Sequence, residues 1–188
     1  QVPEEGIMEL LAYFENTGLA IWLRESPSIL AYPTLLAFHT FGMAFLVGTS
    51  SAFALRLIGI APGVPLAPLK KFVPLIRGAF VVSLISGLLL LLLDLQLFLT
   101  MPTFYIKLLF IAAALIILRI AETRVYSGPA PGEEPVLGIT MLVCWAGAIA
   151  TGRVTAYAPY IGWQSGAALI ILVALLLVGR RITLRFLG

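Results

Sequence analysis

The chain is 188 residues long, 61% of them hydrophobic and 11% charged, and its twelve lysines and arginines against nine aspartates and glutamates leave a net charge of +3. So apolar a composition excludes an ordinary soluble domain, and a single cysteine, Cys144, excludes an intrachain disulfide, a zinc finger or a CxxC redox motif. The small positive excess is unevenly placed, which bears on membrane topology; no nucleic-acid signature accompanies it.

No leader pattern of basic, apolar and small-residue regions precedes the first elements, so the opening residues are expected to belong to the mature fold. Residues 6–24 set Ile7, Leu10, Leu11, Phe14 and Trp22 near helical spacing, with Glu9 and Glu15 elsewhere. That pattern predicts an amphipathic helix lying in the membrane interface, broken around Asn16-Thr17-Gly18. Ser26-Pro27 reads as an N-cap followed by proline at the first helical position. A first span is therefore predicted over residues 27–55, kinked slightly by Pro33 in its second turn. Residues 57–74, with Pro62, Gly63, Pro65 and Pro68, read as a loop.

A second span is predicted over residues 75–99, carrying the leucine run from Leu88 to Leu93, and Met101-Pro102 stops it before a third over residues 103–125. Glycine and proline mark residues 127–135 as a loop. A fourth span follows over residues 136–157 and a fifth over residues 163–179 with its flanks. The expected fold is all-α: a multi-pass transmembrane helical bundle of five spans plus an N-terminal interfacial amphipathic helix. Its parts are an outer interfacial segment (1–25), a four-helix bundle (26–160), and a fifth span with a basic cytoplasmic tail (161–188).

Short cytoplasmic loops carry the excess of lysine and arginine. Arg56, Lys70, Lys71, Arg77, Arg119, Arg124, Arg180, Arg181 and Arg185 fall on one side of the predicted spans, and Arg24, Lys107 and Arg153 on the other. This places the N-terminus outside and the C-terminus in the cytoplasm, as for a protein of the bacterial inner membrane. Trp22 and Trp163 then lie at the outer interface, where indoles are favoured.

The only histidine, His39, sits mid-way along some thirty uncharged residues. An ionisable side chain at that depth is costly and is by default a candidate site. Counting inward from the outer ends of the first and fourth spans puts His39 level with Cys144 and Met43 level with Met141. His39-x-x-x-Met43 and Met141-x-x-Cys144 each share a helical face, and such a donor set suits Cu(I). The alternative is that methionine and cysteine fill a bundle core while His39 is hydrogen-bonded to a carbonyl or hydroxyl. A b-type haem is another candidate: Gly42 leaves room for a flat ring beside His39, and the second axial ligand would be Met141 or come from a second copy or another subunit.

A second constellation is electrostatic. Asp94, Lys107 and Arg153 are each predicted one to two turns inside the outer boundary. Charges so placed are paired or line a wet cavity. Asp94 bridging Lys107 or Arg153 would leave one cation over for an anionic lipid head group, a quinone carbonyl or another anion. Glu122, three residues after Arg119, reads as its solvated partner. Small residues recur at helix-contact spacing in Ala44-x-x-x-Gly48-x-x-x-Ala52, Ser83-x-x-Ser86-Gly87 and Gly147-x-x-x-Thr151. Hydrolase and phosphate-loop motifs are absent from the sequence, which points to a non-catalytic protein.

Tyr32-Pro33 ahead of His39, Gly48 after it, Leu55-Arg56-Leu57-Ile58-Gly59, Ser86-Gly87-Leu88-Leu89-Leu90, Phe104-x-x-Lys107, and Trp145 followed by Gly152-Arg153-x-x-Ala156-Tyr157 together resemble a bacterial family of small four-helix membrane proteins of unknown function. More distantly, a histidine followed by glycine on the first helix is similar to copper-resistance D and cytochrome b561-type bundles. The resemblance implies haem b, a quinone or copper as ligand. The expected role is a membrane subunit or small binding protein of a redox or metal-handling system, in the bilayer with partner membrane subunits or a second copy of itself. The competing expectations are a purely structural accessory subunit and a small carrier for an anion or lipid.

Overall fold

The computed structural model describes residues 4–127 and 134–156. Every regular element among them is helical: α1 (Glu4–Glu15), α2 (Gly18–Glu25), α3 (Tyr32–Leu57), a 3-10 helix (Ala67–Phe72), α4 (Val73–Leu91), α5 (Leu95–Thr100), α6 (Pro102–Ser127) and α7 (Pro135–Ala156). Four stretches are long and apolar enough to cross a bilayer, Tyr32–Leu57, Ala67–Leu91, Pro102–Tyr126 and Pro135–Thr155. Even the best-covered of them has only 33% of its apolar window buried. Outward faces of that kind suit contact with lipid, where packing between helices is not driven by water. The fifth span predicted over residues 163–179, like the basic tail behind it, lies outside the described residues.

The chain divides into two compact units, Gln1–Gly48 with Phe72–Thr100, and Thr49–Lys71 with Met101–Gly188. In the first, the predicted N-terminal helix is two short ones. Thr17 caps α2, its hydroxyl accepting the Ala20 N–H at 3.4 Å, and Ile7, Tyr13, Leu19 and Trp22 stay exposed.

The first span starts five residues later than predicted, at Tyr32 rather than residue 27. Serine hydroxyls compete for the backbone here: Ser26 Oγ accepts the Ser28 N–H and Ser28 Oγ the Leu30 N–H, each at 3.2 Å, which holds the segment in turns. Pro33 consequently stands in the first turn of α3, where its missing N–H has no intrahelical partner to lose.

The second predicted span also breaks, between α4 and α5. Leu93 N–H bonds Leu90 O and Asp94 N–H bonds Leu91 O, a tightening to 3-10 spacing. Polar side chains from the N-terminal helices satisfy the backbone released there. The Arg24 guanidinium donates to Leu93 O at 3.2 Å, and the Gln96 N–H donates to Glu15 Oε1 at 2.7 Å. Leu23, Leu35 and Leu93 form a small core beside this break.

In the second unit α3 ends in a Schellman motif. Gly59, at φ 93°, gives its N–H to Arg56 O, and Ile60 gives its own to Leu55 O. The Arg56 side chain then reaches over the following turn, with Nε donating to Val64 O at 2.6 Å and Nη2 to Pro62 O at 3.3 Å. Gly59 and Arg56 thus account physically for the run Leu55-Arg56-Leu57-Ile58-Gly59. α6 and α7 pack against each other antiparallel: Arg124, late in α6, pairs with Glu134 at the head of α7 at 3.6 Å, and Lys107, early in α6, lies over Gly152 near the tail of α7. The Arg119–Glu122 pair forms at 3.4 Å, but Glu122 is buried rather than solvated.

Candidate functional site

His39 lies on α3 in the first unit, half-buried against α4. Its Nδ1 is 3.0 Å from Ser83 O and 3.2 Å from Ser86 Oγ. A carbonyl oxygen only accepts. The Ser86 hydroxyl directs its one proton to Val82 O, at 2.6 Å, so toward the imidazole it too is an acceptor. Both neighbours therefore require Nδ1 to carry the hydrogen. Assigned in this way from the hydrogen-bond network, neutral His39 is the Nδ1–H tautomer and its basic lone pair is on Nε2.

Two glycines make this seat. A Cβ on Gly42 would come within 2.9 Å of Ser83 N and 3.1 Å of Ala79 O, so α3 and α4 touch backbone to backbone one turn from the histidine. A Cβ on Gly87 would lie 3.0 Å from His39 Cε1, so the ring edge occupies the place of a missing side chain. Ser83 and Ser86 are buried. Ser83-x-x-Ser86-Gly87, by its spacing a helix contact, is thus also the seat of His39. In the sequence these two serines are the only hydroxyls within the apolar stretch 73–93, and they recur at one-turn spacing.

No family model matches the chain, and no curated protein or solved structure matches it.

The remaining predicted site residues are divided between the units. Met43, one turn beyond His39, is half-buried in the first; Met141 and Cys144 are buried on α7 in the second. Among the described residues no three histidine, cysteine, aspartate or glutamate side chains come together as a metal cluster. Asp94 is not inside a helix as predicted. It stands exposed in the bend between α4 and α5, where its carbonyl accepts the Phe98 N–H at 3.0 Å. Asp94 belongs to the first unit, and Lys107 and Arg153 to the second. Chemically, the His39 seat is that of an oriented imidazole. A ring whose Nδ1–H is held by a carbonyl is fixed in direction and made a better donor at Nε2, the arrangement that supports histidine as a metal ligand or as acceptor for a hydroxyl.

Proposed function

We propose that this chain is a non-catalytic multi-pass protein of the bacterial inner membrane in which His39 holds a redox-active ligand, haem b, a quinone or copper, within a redox or metal-handling membrane system. The observation that carries the reading is the pair of acceptors on Nδ1, which makes Nε2 the donor atom. His39 would hold the iron of a haem or a copper ion, with Met43 a turn away as a soft donor. A quinol would instead give its hydroxyl hydrogen to Nε2. The bound group would supply the electron-transfer chemistry, while His39 orients it and Ser83 and Ser86 orient His39. The first-helix histidine and Gly42 accord with the resemblance to cytochrome b561-type and copper-resistance D bundles. The lack of a second histidine in the sequence departs from it, so a second protein ligand to a haem would be Met141 or would come from a second copy or another subunit.

The test is the absorption spectrum and metal content of the protein purified in mild detergent. His39→Ala should abolish a bound chromophore or metal while the protein still inserts and folds. A wild type that carries neither, together with a His39→Ala variant that loses only thermal stability, would overturn the reading. It would favour a structural accessory subunit, which the exposed apolar side chains of α1 and α2 also suit.

The orientation is proposed from the placement of basic residues, with the N-terminus outside. A reporter active only in the cytoplasm should work when fused after Arg185 or within residues 127–135, and fail when fused before Val2. The reverse pattern would invert the topology.

A further inference from the structure

Where α6 begins and α7 ends, the second unit gathers positive charge, and among the described residues of that unit no ion pair joins Lys107 or Arg153 to an acid. Lys107 is half-buried, and its side chain runs across α7: a Cβ on Gly152 would meet Cε at 3.6 Å, Cδ at 3.7 Å and Nζ at 3.9 Å. Gly152 is therefore the space the lysine stem fills, which delivers the ammonium to the last turn of α7. The next residue, Arg153, is exposed on that turn. Neither residues 102–111 of α6 nor residues 143–156 of α7 contain an aspartate or glutamate.

Thr103 supplies a second, independent observation. It precedes Lys107 by one turn and so shares its face of α6. Only 4% of the residue is exposed, and its Oγ1 makes no hydrogen bond among the described residues. A threonine in a membrane helix ordinarily returns its hydroxyl to a carbonyl of the preceding turn, as Thr151 and Thr155 do to Gly147 O and Thr151 O, each at 2.7 Å. Thr103 stands in the first turn of α6, so the carbonyls three and four residues before it belong to α5 rather than to its own helix. A buried hydroxyl left without a partner costs about 1–3 kcal/mol, and this one lies at the positive end of a helix 26 residues long.

We propose that Thr103, Lys107 and Arg153 form a binding site for an anionic phosphate group, one not already neutralised by a cation of its own as in phosphatidylcholine, with the two basic side chains balancing its charge and the Thr103 hydroxyl donating to one of its oxygens. Basic pockets between membrane helices take head groups in this way. The site shares no residue with the His39 seat, and it stands or falls apart from the ligand proposed there. It also explains Phe104-x-x-Lys107 and Gly152-Arg153 together, since one places the lysine and the other makes room for its stem.

Two sources of phosphate are separable with the full-length protein in phosphatidylcholine nanodiscs. In the first arm, part of the phosphatidylcholine is replaced by phosphatidylglycerol; in the second, inorganic phosphate is added to the phosphatidylcholine discs. A lipid head group as occupant predicts a higher melting temperature in the first arm only, and free phosphate predicts it in the second as well. In either case removing one cation should weaken binding about fivefold, so the gain should shrink in Arg153→Gln and vanish in Lys107→Met with Arg153→Gln. Lys107→Arg should keep it. Arg153 is exposed, so its variant tests the proposal even if Lys107→Met folds poorly. No stabilisation in either arm, or a gain that Arg153→Gln and the double variant leave unchanged, would overturn the site.

Discussion

Gly42→Leu should unseat His39 and sharply lower the melting temperature of the protein in detergent, whereas Gly48→Leu, six residues along the same helix, should be tolerated. The difference is geometric. A side chain at Gly42 would have to grow through Ser83 N, Ala79 O and Ser83 Cα, all within 3.1 Å of its first carbon, whereas a Cβ at Gly48 would meet nothing within 4 Å. Overpacking an ordinary core contact costs about 1–3 kcal/mol. Here the obstructing atoms belong to a helix backbone and have no alternative rotamer, so the cost should reach ~3 kcal/mol or more. Forcing α3 from α4 also breaks the His39 Nδ1 bond to Ser83 O, which tolerates little lengthening from 3.0 Å. With one histidine in the chain, nitrogen NMR of protein labelled only at histidine reads this directly. The wild type should show Nδ1 protonated and Nε2 not; Gly42→Leu should show mixed tautomers, and Gly48→Leu the wild-type spectrum. Equal effects at the two glycines would mean that the close approach of α3 to α4 at Gly42 is wrong.

Much of this was legible in the sequence, for reasons that differ element by element. Hydrophobic runs of bilayer length placed the four described spans, because in lipid the helix is the one open structure that satisfies its own backbone. Their boundaries were less legible. Ser26 and Ser28 have the composition of a helix start, yet both spend their hydroxyls on local turns, and only the geometry tells one use from the other. The break after Leu91 begins inside a run of leucines and is marked in composition by Asp94 alone. It is stabilised by Arg24 and Glu15, residues some seventy to eighty positions away, and no local pattern encodes such a partner. His39 stands out because an ionisable side chain in a membrane segment is rare, whereas its seat does not, because serine and glycine in a helix are common. Gly48 reads as a helix-contact residue and Gly42 as room for a flat ring, yet it is Gly42 that is pressed against a neighbouring backbone and Gly48 that opens on space, which shows the limit of spacing alone.

Gly138→Leu should do for the second unit what Gly42→Leu does for the first. A Cβ at Gly138 would fall 2.5 Å from Ala54 O and 2.7 Å from Ile58 Cγ1, so the first turn of α7 rests on the last turns of α3 with no room for a side chain. That approach also supports a hydrogen bond: Glu134 gives its N–H to Leu57 O at 3.0 Å, so one of the carbonyls that α3 leaves unpaired at its end is satisfied from the start of α7. Pushing α7 away removes the bond, disturbs the Arg124–Glu134 pair, and opens the packing around Ala54 and Leu57, both fully buried. A loss of ~3 kcal/mol or more is expected, since steric overlap and a stranded carbonyl act together. The chain carries its own reporter in Cys144, its one cysteine, which is buried on α7 six residues further along. In intact protein a maleimide should label Cys144 slowly, and in Gly138→Leu the rate should rise as the melting temperature falls. Gly138→Ala should show the same two changes to a smaller degree, because the offending atom is the first carbon itself. If Gly138→Leu melts at the wild-type temperature and leaves Cys144 as slow to react, then α7 does not dock on α3 through this glycine, and the packing of the second unit described above is wrong.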